Sequence, residues 1–352
     1  MAITNQKQHK KHLTKKSIET ILIIIGALLI VAMVIGVIMR INSAKDLDIS
    51  RSINIGNALE APKGIPWDVE LKNEHFDTIK EAGFDTVRLP VRFSDYAINN
   101  EGYILDEDFM QKVDGHIDYA LNTGLIVILD FHHFDEIMED PLAYKDCFLA
   151  IWKQVSERYK YKSEKLYFEL LNEPHNNLTG DIWNQLINEA TALIRETNPS
   201  RQIIIGPVEY NSMYRLDDLR LPDDKNIIVT VHYYFPPEFV FQNDQYHPEY
   251  KKYINVDWGS VAEVKQVAAD FDQIKSWSKK NNRGIYLGEF GANKSAPSES
   301  RAKYISTIRS IAEENKFAWG YWEFASGFGL YDQESEQWDE RIKNALIPEN
   351  QY

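Results

Sequence analysis

From about residue 50 onward two textures alternate along the chain. Short apolar runs, rich in β-branched and aromatic residues, occupy positions 53–58, 86–91, 125–131, 166–171, 202–206, 227–232, 285–289 and 319–323. Between most of them lie amphipathic stretches of helical period, at 69–82, 108–123, 141–159, 181–197, 260–281 and 298–315. Gly83 and Gly124 fall where a helix C-cap is expected. The fifth crossover, around 213–219, is the shortest. A strand buried on both faces reads as a continuous apolar run, and strands that alternate with helices imply a parallel sheet. Eight such units in about 300 residues predict a closed (β/α)₈ TIM barrel rather than an open doubly wound sheet. No Gly-x-Gly-x-x-Gly follows the first run, which argues against a dinucleotide fold. Nothing in the composition divides this body.

A different pattern precedes it. The 20 residues from Thr20 to Met39 contain no charge, and a helix of that length covers about 30 Å, the thickness of a bilayer's hydrocarbon core. Lys7, Lys10, Lys11, Lys15 and Lys16 stand before it. By the positive-inside rule they keep the tail in the cytoplasm and send the rest across the membrane. The organisation expected is a basic tail (1–19), a single transmembrane signal-anchor helix (20–41), a linker (42–50) and the barrel (51–352), with the barrel outside the cell. A cleaved signal peptide ending near Asn42-Ser43-Ala44 is the alternative, and it would release a secreted protein. Its apolar core would exceed the usual length, and Asn42 is not a small residue. A core helix of the soluble body is disfavoured because the run has no polar face.

Charge then narrows the partners. Residues 1–19 carry a net +4, whereas 49–352 hold 32 basic and 50 acidic residues, a net −18. A body this acidic repels a phosphate backbone, so no nucleic-acid partner is expected. A single cysteine, Cys147, excludes an intrachain disulfide and a cysteine-ligated zinc site.

In a β/α barrel the chemistry sits at the carboxyl ends of the strands. Here those ends carry Arg88, His132 and His133, Asn172 and Glu173, His232 and Tyr234, Glu289, and Trp322. Packing alone gives no reason for an ionisable or aromatic hydrogen-bonding group at nearly every exit. Adjacent His132 and His133 would diverge on a regular strand, and no His-Glu-x-x-His occurs, so neither a metal nor another cofactor is expected. No Gly-x-Ser-x-Gly elbow supports a serine nucleophile.

The run Asn172-Glu173-Pro174-His175 at the fourth strand end, with a second glutamate ending the seventh, resembles the retaining glycosidases of the 4/7 clan. Further motifs narrow the resemblance to glycoside hydrolase family 5: Ile53-Asn54-Ile55-Gly56-Asn57-Ala58-Leu59-Glu60, Val87-Arg88-Leu89-Pro90, Asp130-Phe131-His132-His133, His232-Tyr233-Tyr234, Leu287-Gly288-Glu289-Phe290-Gly291 and Tyr321-Trp322-Glu323-Phe324. It runs from about residue 51 to 346, and Ser326-Gly327-Phe328-Gly329-Leu330-Tyr331-Asp332 is similar to the endoglucanase branch. Phe241-Gln242 departs from the His-Gln pair often present in the sixth loop of such enzymes.

The resemblance implies Glu173 as general acid and base and Glu289 as nucleophile. It also implies Asn172 as a ligand of the sugar 2-hydroxyl, and Trp322 as a platform under the sugar. His132 and His232 would be positioning residues, and Asn57 and Glu60 would hydrogen-bond a sugar one site away. The chemistry fits: a glycosidic bond needs a proton on the leaving oxygen and a carboxylate facing the developing oxocarbenium ion. Donors from Arg88 and Tyr234 would favour ionised Glu289, leaving Glu173 protonated beside that charge. The aromatic-rich segment 235–258 and Trp67 are expected to wall an open cleft for a polymer. The implied function is a retaining endo-β-1,4-glucanase acting on a β-glucan. A β-mannanase or mixed β-glucan/mannan hydrolase is the alternative within enzymes, and a non-catalytic carbohydrate receptor the alternative outside them.

Overall fold

The computed structural model describes residues 22, 24–31, 47–97 and 101–348. Contacts divide the chain into a unit of residues 1–43 and a compact unit of residues 44–352. In the first, residues 22 and 24–31 are helical and carry exposed leucine and isoleucine side chains. The lysine tail, the remainder of the expected 20–41 span and the linker up to 46 lie outside the described residues. Among the described residues no helix is long and apolar enough to cross a membrane.

In the second unit eight parallel strands close on themselves in sequence order, with β8 returning to β1. They are β1 (Arg51–Asn54), β2 (Thr86–Val91), β3 (Ile126–Phe131), β4 (Leu166–Glu169), β5 (Ile203–Ile205), β6 (Ile227–Tyr233), β7 (Ile285–Phe290) and β8 (Ala318–Tyr321). Six main helices fill the crossovers: α1 (Glu74–Glu81), α2 (Glu107–Asn122), α3 (Pro141–Arg158), α4 (Gly180–Thr197), α5 (Val261–Asn281) and α6 (Ser298–Glu314). Their starts are chemically marked. Asp106 accepts from the Phe109 N–H to cap α2, Asp140 caps α3 ahead of Pro141, and Ser260 with Glu263 forms a capping box on α5. Gly83 and Gly124 end α1 and α2 with φ of 99° and 87°, as their positions predict.

Several expected boundaries move. Strands β4 and β8 end at Glu169 and Tyr321, short of the expected 171 and 323, although Leu170, Asn172 and Trp322 still donate their N–H groups to Ile204, Phe131 and Phe290 of the neighbouring strands. Helix α1 starts at Glu74 rather than 69, where Glu74 and Asp77 supply the acidic first turn. The fifth crossover holds a 3₁₀ helix, Met213–Asp218.

Side-chain alternation sorts the core into two clusters. Val87, Leu89, Val127, Leu129 and Phe168 point outward into the large layer between sheet and helices. Ile126, Ile128, Tyr167, Ile204, Ile228 and Tyr286 point inward and plug the barrel. Further along the same inward rows the residues become Arg88, Asp130 and Glu169, all fully buried. Period-two alternation thus carries an apolar plug at one end of the lumen into an ionic layer at the other.

Candidate active site

Arg88 stands at the centre of that ionic layer with every N–H used. Its Nε donates to Glu169 Oε2 (2.7 Å), Nη1 to Asn54 Oδ1 (2.8 Å) and Glu289 Oε1 (2.6 Å), and Nη2 to Glu169 Oε1 (2.9 Å) and Asn172 Oδ1 (2.8 Å). Asp130 lies 3.0 Å from Nη2 as a third carboxylate. Burial pulls the guanidinium pKa down, but Asp130, Glu169 and Glu289 together hold it well above its ordinary value. Because Asn172 gives its oxygen to Arg88, its amide nitrogen is left to face the cleft that it lines.

Glu289 reaches this layer through a break in the ladder. The β6–β7 register pairs Val231 with Leu287 and then His232 with Glu289, so Gly288 is an extra residue. The bulge shifts parity by one and brings Glu289 into step with inward-facing His232. There its Oε2 accepts from the Tyr234 hydroxyl (2.8 Å) while Arg88 holds Oε1. These donors favour the anion, as expected, yet the balance falls the other way: burial outweighs His232, Arg88 and Tyr234 and raises the Glu289 pKa.

Glu173 sits across the barrel mouth with φ 49° and a quarter of its side chain exposed. Its Oε1 lies 2.6 Å from His232 Nδ1, and burial, opposed by Arg88, pushes its pKa up to about 7. Carboxylate oxygens of Glu173 and Glu289 and a nitrogen of His232 all lie within 4.8 Å of one another. Among the described residues this is the one group of acidic and histidine side chains close enough to share a cation. Its His232 nitrogen is already engaged with Glu173, and we assign no metal ligand here.

The other predicted residues fall around the same cleft, about 740 Å³ in volume. His132 Nδ1 lies 2.6 Å from Asp130 Oδ2, and its ring stacks on Trp322 at 5.4 Å and 3°. Gly56 makes room for that tryptophan, since a Cβ there would stand 2.9 Å from its ring. His133 does not turn away from His132 as a regular strand would require. Strand β3 ends at Phe131, so both histidines lie beyond the pleat, 4.6 Å apart edge to face, and both line the cleft.

Asn57 lines the cleft and donates to Asp68 and Ser326. Glu60 belongs to the lining of the same cleft, yet its side chain is fully buried and accepts the Asn57 and Ala58 N–H groups, with burial pushing its pKa up to about 8. These bonds brace the first loop. Glu323 does the same for the last loop, accepting from the N–H groups of Ala325, Ser326 and Phe328. Of the aromatics in 235–258, Phe241, Tyr246 and Tyr250 line the cleft with Trp67, whereas Phe239 and Trp258 pack into the core.

Sequence reasoning missed Asp68, Glu169, Tyr210, Asn211, His247 and Ser326. Glu169 had a visible signal, ending β4 four residues before Glu173 and two residues from Tyr167 on the inward row. The others come from loops with no period to read.

The cellulase family of glycosyl hydrolase family 5 matches residues 56–327. Endoglucanase H of Acetivibrio thermocellus is 35% identical over 305 residues, covering 85% of this chain and 33% of that protein, so the chain spans about a third of this relative's length. Endoglucanase 1 of Ruminococcus albus is 27% identical, with 85% and 79% covered. Among solved structures, cellulose synthase subunit Z of Clostridioides difficile superposes with a TM-score of 0.84 at 48% identity, covering 85% of this chain and all of that one. Cel5A of Thermotoga maritima, solved with cellobiose, gives 0.83 at 45% identity, with 85% and 97% covered. Its mannotriose complex gives 0.83 at 44%.

Proposed function

Because the chain belongs to glycosyl hydrolase family 5, we propose that it is a retaining endo-β-1,4-glucanase in which Glu289 is the nucleophile and Glu173 the general acid and base. One observation supports this reading above the rest: two carboxyls from opposite strand ends approach within 4.8 Å across an open cleft. Retaining glycosidases hold their carboxyl groups about 5–5.5 Å apart, whereas inverting ones leave room for a water between them. In the first step Glu289 attacks the anomeric carbon, the glycosidic bond breaks, and the proton of Glu173 goes to the leaving oxygen. In the second, Glu173 takes a proton from water, whose oxygen displaces Glu289 and restores the β configuration. Asn172 would hold the 2-hydroxyl, Trp322 the sugar face, and Arg88 and Tyr234 the nucleophile.

Azide separates the two glutamates. With a dinitrophenyl β-cellobioside, whose leaving group needs no proton, Glu173→Ala should stall as glycosyl-enzyme and yield β-glycosyl azide when azide is added. Glu289→Ala should yield the α-azide with an activated donor, because azide enters from the vacated face. Release of an α-anomer first by the wild type would overturn both assignments.

The mannotriose complex of Thermotoga maritima Cel5A supports the second reading, hydrolysis of mannan or glucomannan as well. Rates on carboxymethylcellulose, barley β-glucan and glucomannan decide between them. Glucan binding without release of reducing ends would leave a receptor. The uncharged run from Thr20 to Met39 behind five lysines supports a single-pass anchor with residues 51–352 outside the cell. With the similarity to a cellulose synthase subunit, it favours a glucan made at the cell's own membrane. Protease added to intact cells should remove the barrel and spare the tail; a secreted form beginning near Lys45 would refute the anchor.

A further inference from the structure

Three consecutive non-glycine residues, Glu209, Tyr210 and Asn211, hold φ of 58°, 63° and 54° in the turn after β5. Cβ sterics disfavour this backbone, so contacts must hold it in place. The turn drives the Asn211 side chain into the barrel wall, where it is fully buried. Space exists only because residue 206 is glycine: a Cβ there would lie 1.9 Å from Asn211 Oδ1. The amide nitrogen of Asn211 then stands 3.2 Å from Nε2 of His232. Nδ1 of the same ring stands 2.6 Å from Oε1 of Glu173. One imidazole bridges Asn211 and Glu173.

A neutral imidazole carries one proton, on one nitrogen or the other, and an amide NH₂ can only donate. Donation from Asn211 makes Nε2 the acceptor and leaves the ring proton on Nδ1, which donates to Glu173. We propose that Asn211 is a positioning residue: it fixes His232 as the Nδ1–H tautomer and so confines the acidic proton of Glu173 to Oε2, the oxygen free to meet the leaving group. This rests on Glu173 being the general acid. In the opposite tautomer, Nδ1 would accept from Oε1 and hold the proton away from the leaving oxygen. Burial keeps the ring neutral, with its pKa pushed down to about 4, so the tautomer is the quantity that Asn211 controls.

Asn211→Asp tests this. Aspartate keeps the shape and tolerates left-handed backbone, but it places an acceptor opposite Nε2. The ring proton moves to Nε2, or the ring gains a second proton and stabilises ionised Glu173. Either result weakens the acid. On phenyl β-cellobioside, kcat/KM should fall by about 100-fold or more, the lower end of a general acid's contribution, whereas on the dinitrophenyl analogue it should fall by less than about threefold. Glu173→Ala is measured beside it. If Glu173→Ala shows the split between leaving groups and Asn211→Asp does not, the positioning role is wrong while the acid assignment stands. If neither shows it, the acid assignment itself fails. Nitrogen-15 NMR of the wild type needs no folded variant: His232 should be protonated at Nδ1 and bare at Nε2, and the reverse pattern overturns the proposal.

Discussion

Replacing Arg88 by lysine keeps the charge and removes the fork. The guanidinium makes five donations, to Asn54, Glu169 twice, Asn172 and Glu289, at 2.6 to 2.9 Å and with no solvent exposure. An ammonium has three N–H groups on a point, so at least two of these acceptors lose their partner. A hydrogen bond to a charged group contributes about 1.5–3 kcal/mol, which gives about 3–6 kcal/mol for two, and breaking a buried ion pair costs about 3–5 kcal/mol. We therefore expect Arg88→Lys to lower the unfolding free energy by about 4 kcal/mol, read from the guanidinium midpoint at unchanged slope. Domains of this kind hold about 5–15 kcal/mol, so the variant should remain folded at 25 °C and its activity can be measured. Activity should fall further than stability explains, because Glu289 loses the donor that aims Oε1 and favours its anion. An unfolding free energy within about 1 kcal/mol of wild type would refute the reasoning, since it would mean that the carboxylates do not depend on the fork.

Four further outcomes follow from the same geometry. With the Glu173 pKa at about 7, kcat/KM on unactivated substrates should drop as pH rises through about 7, and a dinitrophenyl glycoside should lose that alkaline limb. The same raised pKa makes the Glu173 contribution to stability complete below its ordinary 4.5 and lost as pH rises through about 7, so unfolding at pH 5 and pH 8 should differ less in Glu173→Gln than in wild type. Trp322→Ala should lower kcat/KM by about two- to twelvefold, more than Trp322→Phe, if the ring that stacks on His132 also carries the sugar; equal rates in the two variants would mean that it only packs. Gly56→Ala should displace that ring, 2.9 Å from the added methyl, and reduce kcat/KM on polymer while the thermal midpoint moves little.

What was legible in the sequence is what obeys a period. The eight apolar runs announced the strands because parallel strands bury both faces, and the polar exits stood out against them. Asn172-Glu173-Pro174 was legible as a motif on such an exit. What escaped depends on breaks in period or on distance along the chain. Parity alone puts Leu287 and Glu289 on one face, and only the extra residue at Gly288 brings Glu289 to the inward side. The pairing of Arg88 with Glu169 spans 81 residues and was invisible, although both stand on inward rows. His132 and His133 would diverge only if the pleat ran on past Phe131, and the end of β3 there has no mark in the residues themselves. Asn211 lies in a left-handed turn that no residue type there requires.

Burial raises the pKa of both Glu173 and Glu289, so burial cannot be what divides their proposed roles. Hydrogen bonding divides them. Glu289 meets a guanidinium on one oxygen and a phenol on the other, and both stabilise an anion. Glu173 meets one neutral imidazole on Oε1 and faces the cleft with the rest. The proposed roles put the first ionisation of the pair on Glu289, whose charge, within 4.8 Å, would resist the second. On the proposed mechanism this coupling also drives the change of role. Once Glu289 has become an ester in the glycosyl-enzyme its charge is gone, and the repulsion that held the proton on Glu173 goes with it. Glu173 has just given that proton to the leaving group and now has no anion beside it to call for another. It stays ionised as the base that water needs. The same spacing that sets retention therefore also times the proton, and moving the carboxyls apart by one residue's reach would lose both.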